Sequence, residues 1–169
     1  MDKKSSVIKR IALDALLTAA ALIIFIVEAQ IPPVVPIPGV KLGLANVVTV
    51  FALFRLGAKD TLAILLGRIL LGAAFSGSVN ALVFSLAGGL LCYLAMLLLK
   101  RILSEKQIWV CGVTGAVCHN LGQTVAATVL LRSGAVWYYF PVLVLSGIVT
   151  GLFTGLCAQI VYLRIGKRI

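Results

Sequence analysis

Six apolar runs, joined by short polar or glycine-containing connections, occupy almost the whole of this chain of 169 residues. Hydrophobic residues make up 62% of the sequence, and only 12% of the residues are charged. A soluble globular domain typically carries about a quarter of charged residues. A chain with so few charges between its apolar runs is suited to lipid, and the sequence therefore predicts an integral membrane protein.

The apolar runs have the lengths of transmembrane helices, although the second and third are short. Crossing a bilayer takes about 20 apolar residues, within a range of roughly 17–25. Such spans are helical because lipid offers the backbone no hydrogen-bond partner. We expect an all-α integral membrane protein, a compact bundle of six transmembrane helices that forms one domain over 1–169. The predicted spans are 7–30, 40–56, 60–77, 79–99, 107–131 and 137–163.

The basic residues lie almost entirely on one side of this predicted bundle. Twelve of the fifteen are on one side, Lys41 and Arg132 are on the other, and Arg68 is inside the third span. Loops rich in lysine and arginine remain in the cytoplasm. We therefore expect a multi-pass protein of the cell membrane with both termini in the cytoplasm. The net charge of +10 reflects this topology, and nucleic acid is not an expected partner.

A proline-rich segment, QIPPVVPIPGVK, joins the first two spans on the predicted outer side. Its prolines are Pro32, Pro33, Pro36 and Pro38. Proline fixes φ and removes a backbone donor, so the segment is predicted to be a stiff, extended and apolar strap. It forms either a lid over an outward-facing pocket or a loop that simply ends the first helix, and we favour the lid.

Several polar side chains lie within or at the ends of the predicted spans, where they are costly. Such groups usually face the interior of a bundle and often mark a functional site. His119 and Gln123 are four residues apart and therefore share one face of a helix. The candidate substrate-binding residues of this kind are Glu28, Asn46, Arg68, Asn80, His119, Asn120 and Gln123.

Two alternatives remain open for these polar groups. Arg68 either pairs with Glu28 to hold the bundle together or contacts a ligand. The cluster His119, Asn120 and Gln123 either forms hydrogen bonds between helices or makes the wall of a polar pocket.

Residues near the predicted outer surface add further candidates for substrate binding. Lys41 and Arg132 offer positive charge to a phosphate, as Arg68 does. Trp137 and Tyr138 either stack on an aromatic ring of a ligand or belong to an interfacial aromatic belt.

The sequence lacks the motifs that would indicate catalysis. It contains no GxxxxGK[ST] motif and no cluster of aspartates that would hold Mg²⁺ against a diphosphate. Its single histidine and its dispersed cysteines do not form a zinc-binding pattern. We expect no enzymatic activity, no metal site and no cofactor in this chain.

Small residues at four-residue spacing, Ala15 and Ala19 in the stretch ALLTA, lie in the cytoplasmic half of the first predicted helix. Together with the predicted six-helix topology, this resembles the substrate-binding S components of energy-coupling factor (ECF) transporters. The resemblance implies that the small-residue face docks on a transmembrane coupling subunit, which works with two cytoplasmic ATPases. Small side chains allow such a close approach of helices.

Three longer segments carry a more specific resemblance, PGVKLGLANVVTVFALFRLG, GRILLGAAFSG and HNLGQ. They are similar to the membrane family named "Gx transporter" or "heptaprenyl diphosphate synthase component I", over nearly the whole chain. This family is S-component-like, which implies a pocket near the outer face, lined by helices four to six and closed by loop one at Ile31 to Lys41.

The implied function is uptake of a small vitamin-like molecule, with a flavin or a quinone or isoprenoid precursor as the expected substrate. One alternative is a non-catalytic membrane component linked to prenyl diphosphate or quinone biosynthesis. Another is a structural scaffold that binds no ligand.

Overall fold

The computed structural model describes residues 3–32 and 43–166, and within these ranges the chain consists of helices joined by short turns. The prediction of an all-helical fold with six helices is confirmed. The α-helices are α1 (Lys3–Glu28), α2 (Asn46–Arg55), α3 (Ala58–Ser76), α4 (Val79–Leu99), α5 (Ile108–Leu131) and α6 (Phe140–Val161). Short 3₁₀ segments, Glu105–Gln107 and Gly134–Tyr139, precede α5 and α6, and a π-helical turn, Tyr162–Gly166, follows α6.

Within the described residues, three stretches are long and apolar enough to cross a membrane, judged by length and composition. They are Val7–Glu28, Val79–Leu99 and Gly134–Ile165. The other three α-helices differ from them in distinct ways: α2 is apolar but has ten residues, α3 carries three charged residues, and α5 carries a polar cluster. Among the buried polar side chains described below, Arg68 belongs to α3, and His119 and Gln123 belong to α5.

The second helix is shorter than the predicted span 40–56, because glycines interrupt the helical backbone at both of its ends. Gly43 has a φ of +79° and Gly57 has a φ of +98°. An α-helix requires negative φ, and glycine adopts these positive values without a steric penalty. The helix therefore begins only at Asn46 and ends at Arg55.

At one end of the bundle, side-chain hydrogen bonds join α1 to α3 and α4 to α2. Arg10 Nε donates to Asp60 Oδ2 over 2.8 Å and joins α1 to α3, and Lys100 Nζ donates to the carbonyl oxygen of Leu53 over 2.6 Å and joins α4 to α2. We call this end the basic end. Its basic residues include Arg10, Arg55, Lys59, Lys100, Arg101, Lys106 and Arg164.

Two apolar clusters lie toward opposite ends of the interior, and a third lies between α1, α2 and α3. The larger of the first two lies toward the basic end and includes Leu53, Met96 and Ile108. The smaller of the first two lies toward the opposite end and includes Phe84 and Leu143. Between them, the interior of the bundle is lined by polar side chains.

Gly147, Gly151 and Gly155 form a ridge of small residues at four-residue spacing on α6, which allows α5 and α6 to pack backbone against backbone. A Cβ atom added at Gly151 would lie 2.6 Å from Cα of Val113. One added at Gly155 would lie 2.6 Å from the carbonyl oxygen of Trp109. The ridge of small residues is therefore a helix-packing surface, which is its usual role in membrane bundles.

Replacing Gly151 with alanine is expected to destabilise the protein by about 1–3 kcal/mol, because its new methyl group would meet backbone atoms of α5 that have no room to move. The thermal unfolding midpoint of the purified protein in detergent measures the effect. Gly134→Ala is the matched control, because no atom lies within 4 Å of a Cβ at Gly134. Equal midpoints for the two variants would contradict the packing role of Gly151.

Candidate functional site

A small cavity lies between α1, α3, α4, α5 and the residues that lead into α2. Its empty volume, including the open mouth, is about 220 Å³. Most of its lining is polar, in contrast to the apolar clusters on either side. The lining residues are Phe25, Glu28, Gly43, Arg68, Ser85, His119 and Gln123.

Glu28, the last residue of α1, connects this helix to the start of α2. Its Oε1 accepts a hydrogen bond of 2.6 Å from the backbone N–H of Gly43, and its Oε2 accepts one of 2.9 Å from Leu44. The side chain is buried. A carboxylate is favourable here because the start of a helix presents free N–H groups and a partial positive charge. Glu28 therefore ties the end of α1 to the residues that lead into α2.

Arg68 brings a buried positive charge to the cavity from the middle of α3. The residue is only 3% exposed, and its Nε and Nη2 atoms have no hydrogen-bond partner among the described residues. Its guanidinium carbon lies 5.9 Å from the centre of the Phe25 ring, within the range of a cation–π contact. The ring stabilises the positive charge from one face, and the N–H groups at Nε and Nη2 remain available to another acceptor.

His119 and Gln123 reach the cavity from α5, and Gly88 of α4 makes room for them. His119 is buried and hydrogen-bonded to the backbone of Gly88. Its Nδ1 atom has no partner in the part of the chain that the structure describes. A Cβ at Gly88 would lie 2.9 Å from Cε1 of His119 and 3.0 Å from Cγ of Gln123. A larger residue at this position would therefore displace both side chains.

The two buried asparagines differ in their surroundings. Asn46 is close to the cavity, because a Cβ at Gly43 would lie 2.8 Å from its Nδ2 atom, and neither end of its amide has a partner among the described residues. Asn120 faces α6, where its Nδ2 atom donates to the carbonyl oxygen of Leu143 over 2.7 Å. Asn120 therefore joins α5 to α6, while Asn46 retains its hydrogen-bonding capacity.

The other predicted site residues lie away from these groups or outside the described ranges. Asn80, at the start of α4, is exposed. In the 3₁₀ segment before α6, Trp137 is 41% exposed and Tyr138 is 86% exposed. Pro32 is exposed just after α1. Lys41, Pro33, Pro36 and Pro38 lie outside the described residues.

One face of α1 near the basic end is exposed and consists of small and aliphatic residues. Ala15 and Ala19 are both exposed on it. Ile8, Leu16 and Ile23, which are also exposed, flank them. The predicted docking residues are therefore accessible to another helix.

The cavity also contains residues that the sequence did not single out, namely Phe25, Gly43 and Ser85. Ser85 is the single serine of the apolar α4, and a small polar residue in such a helix could have indicated the site from the sequence. Nothing in the local sequence distinguishes Phe25 from the other apolar residues of α1. Its role depends on the distance to Arg68, which only the fold determines.

Comparison with protein families gives a match over most of the chain. The family model described as heptaprenyl diphosphate synthase component I matches residues 17–161, and the chain belongs to this family. Comparisons with curated proteins and with solved structures found no match. The family resemblance predicted from the sequence is confirmed.

Proposed function

We propose that this member of the heptaprenyl diphosphate synthase component I family is the substrate-binding S component of an ECF-type importer. The observation that carries the proposal is the polar cavity: Arg68 and His119 in its lining, and Asn46 beside it, keep unpartnered polar atoms among the described residues. A scaffold would not need such costly groups in the interior of an apolar bundle. A site that captures a small polar molecule does need them.

The proposed topology has six transmembrane helices with the basic end and both termini in the cytoplasm. The concentration of lysine and arginine at this end supports the orientation. The ten residues of α2 extend about 15 Å, roughly half of a bilayer core, so this helix crosses the membrane only together with the residues that precede it. The cavity then lies toward the outer face, beside Gly43 and Leu44.

In this scheme the substrate is captured from outside beneath the proline-rich lid, Ile31 to Lys41. Glu28 holds the end of the segment that contains the lid through its hydrogen bonds to Gly43 and Leu44. The proposed substrate is a vitamin-like molecule such as a flavin or a quinone or isoprenoid precursor. The chain itself performs no catalysis and requires no cofactor.

Transport further requires partners, which we propose are a transmembrane coupling subunit and two cytoplasmic ATPases. The exposed small-residue face at Ala15 and Ala19 supports this part of the proposal. It lies in the half of α1 near the basic end, where a subunit coupled to cytoplasmic ATPases would act.

A second candidate function is a non-catalytic membrane role in prenyl diphosphate or quinone biosynthesis, which the family description favours. Handling of a diphosphate usually involves Mg²⁺ held by several carboxylates. The five acidic residues of this chain are widely separated in sequence: Asp2, Asp14, Glu28, Asp60 and Glu105. We therefore place the transport function first.

Mass spectrometry of small molecules released from the purified, denatured protein tests the proposal. We expect one vitamin-like compound per protein chain. A Ser85→Leu variant, which fills the cavity from α4 without adding charge, should release much less. A prenyl diphosphate would favour the biosynthetic role. An equal amount of the compound from the Ser85→Leu variant would show that the cavity is not the binding site.

A further inference from the structure

The unpartnered donors of Arg68 have a geometry that selects one class of ligand group. In a planar guanidinium, the Nε–H and the neighbouring Nη2–H point in parallel from the same edge. These two atoms of Arg68 have no partner among the described residues. The two oxygens of a carboxylate or a phosphate match such a pair of parallel donors.

The charge of Glu28 attracts Arg68, but the groups around Arg68 leave the hydrogen bonds of this edge unmade among the described residues. The carboxylate oxygens of Glu28 accept hydrogen bonds from the backbone N–H groups of Gly43 and Leu44. Ser85 and Gln123 carry no charge, and the Phe25 ring contacts the guanidinium through a cation–π interaction. A buried guanidinium with two unmade hydrogen bonds is unfavourable. An anionic acceptor would offset this free-energy cost best, because it makes both hydrogen bonds and neutralises the charge.

Two more unpartnered groups lie beside the same cavity. A Cβ at Gly43 would lie 2.8 Å from Nδ2 of Asn46 and 3.4 Å from Cδ2 of His119, so the turn before α2 is next to both side chains. The amide of Asn46 and the Nδ1 atom of His119 are available among the described residues. Side chains from α2, α3 and α5 thus present hydrogen-bonding atoms around one small volume.

We infer that the substrate carries an oxyanion, a carboxylate or a phosphate, and that Arg68 binds it through Nε and Nη2. This inference rests on the proposed function and specifies the class of its substrate. Asn46 and His119 are placed to bind other polar atoms of the same molecule.

The test uses the full chain purified in detergent and three small probes: acetate, inorganic phosphate and acetamide, the neutral analogue of acetate. We expect acetate or phosphate to raise the thermal unfolding midpoint in a saturable manner, with sodium chloride at equal ionic strength as the baseline. Which of the two ions acts distinguishes a carboxylate from a phosphate ligand. Acetamide should have no saturable effect.

Arg68→Gln removes the charge and the paired donors. It should raise the anion concentration that gives half of the maximal shift in unfolding midpoint by roughly tenfold to a hundredfold. Arg68→Lys keeps a positive charge near Glu28 and should also bind the anion more weakly, because a lysine lacks the parallel donors. The lysine variant therefore still measures the role of Arg68 in anion binding if the glutamine variant does not fold. Arg101→Gln, at an exposed arginine of the basic end, is the matched control and should respond as the unmodified protein does.

The inference is overturned if acetamide acts as strongly as acetate, if no anion gives a saturable response, or if both Arg68 variants respond normally. A neutral compound released in the mass-spectrometric experiment would also overturn it, while the proposed transport function would stand. A prenyl diphosphate would support the oxyanion site and count against transport as the function.

Discussion

Replacing Glu28 with alanine is expected to detach the start of α2 from the end of α1 and to destabilise the protein by about 3–5 kcal/mol. The substitution leaves the buried N–H group of Gly43 and the half-buried N–H group of Leu44 without their acceptor. It also removes the negative charge that attracts the buried Arg68. Because single domains are typically stable by about 5–15 kcal/mol, this is a large fraction of the total.

Amide hydrogen exchange and thermal unfolding together measure the effect of Glu28→Ala. We expect faster exchange at Gly43 and Leu44 and little change in the tightly packed pair α5 and α6. Glu105→Ala is the matched control: Glu105 is exposed at the basic end and accepts a hydrogen bond of 2.8 Å from Tyr162 Oη. Loss of this hydrogen bond should lower the free energy of unfolding by about 1 kcal/mol. Unchanged exchange at Gly43 and Leu44 would show that Glu28 does not hold the start of α2.

This role of Glu28 illustrates how far the sequence alone leads. A carboxylate near the end of an apolar span indicates an interior or functional group. Its partners are 15 and 16 residues away, beyond four prolines, and are backbone amides. No pattern in the sequence specifies where a backbone N–H will lie after such a segment, so the contact could not be predicted.

The helices themselves were more accessible to prediction because their signal is local. Apolar runs separated by glycine-containing or polar connections give the number and the approximate positions of the six α-helices. The shortening of α2 depends on Gly43 having a positive φ, which the sequence permits but does not require. In a similar way, the 3₁₀ segment Gly134–Tyr139 begins before the predicted sixth span.

The convergence of polar side chains depends on how each helix is rotated about its axis. The sequence indicates that Arg68 and His119 lie within apolar helices, and the structure places both at one cavity. Asn120, which is adjacent to His119 in sequence, points about 100° away around α5 and contacts α6. Helix rotation follows from packing, here from the glycines that let α4, α5 and α6 approach closely.

Replacing Ala15 and Ala19 together with tryptophan is expected to reduce substrate uptake to the level of cells that lack the chain. Both alanines are exposed, so the new side chains project away from the interior and leave the cavity intact. They would prevent another helix from approaching α1 closely. Two measurements are needed: co-purification with the proposed transmembrane coupling subunit, which should be lost, and the amount of bound small molecule, which should be unchanged.

The decisive comparison is with Ala74→Trp, which adds the same side chain at an exposed alanine of α3 near the opposite end of the bundle. This control should retain uptake, because the added indole lies away from the proposed docking face of α1. Normal uptake by the Ala15 and Ala19 double variant would remove that face from the docking surface. Loss of the bound molecule in the same variant would instead indicate that α1 supports the cavity and is not a separate docking element. Only the combination of lost uptake and retained binding identifies a surface that connects a loaded subunit to its transport partners.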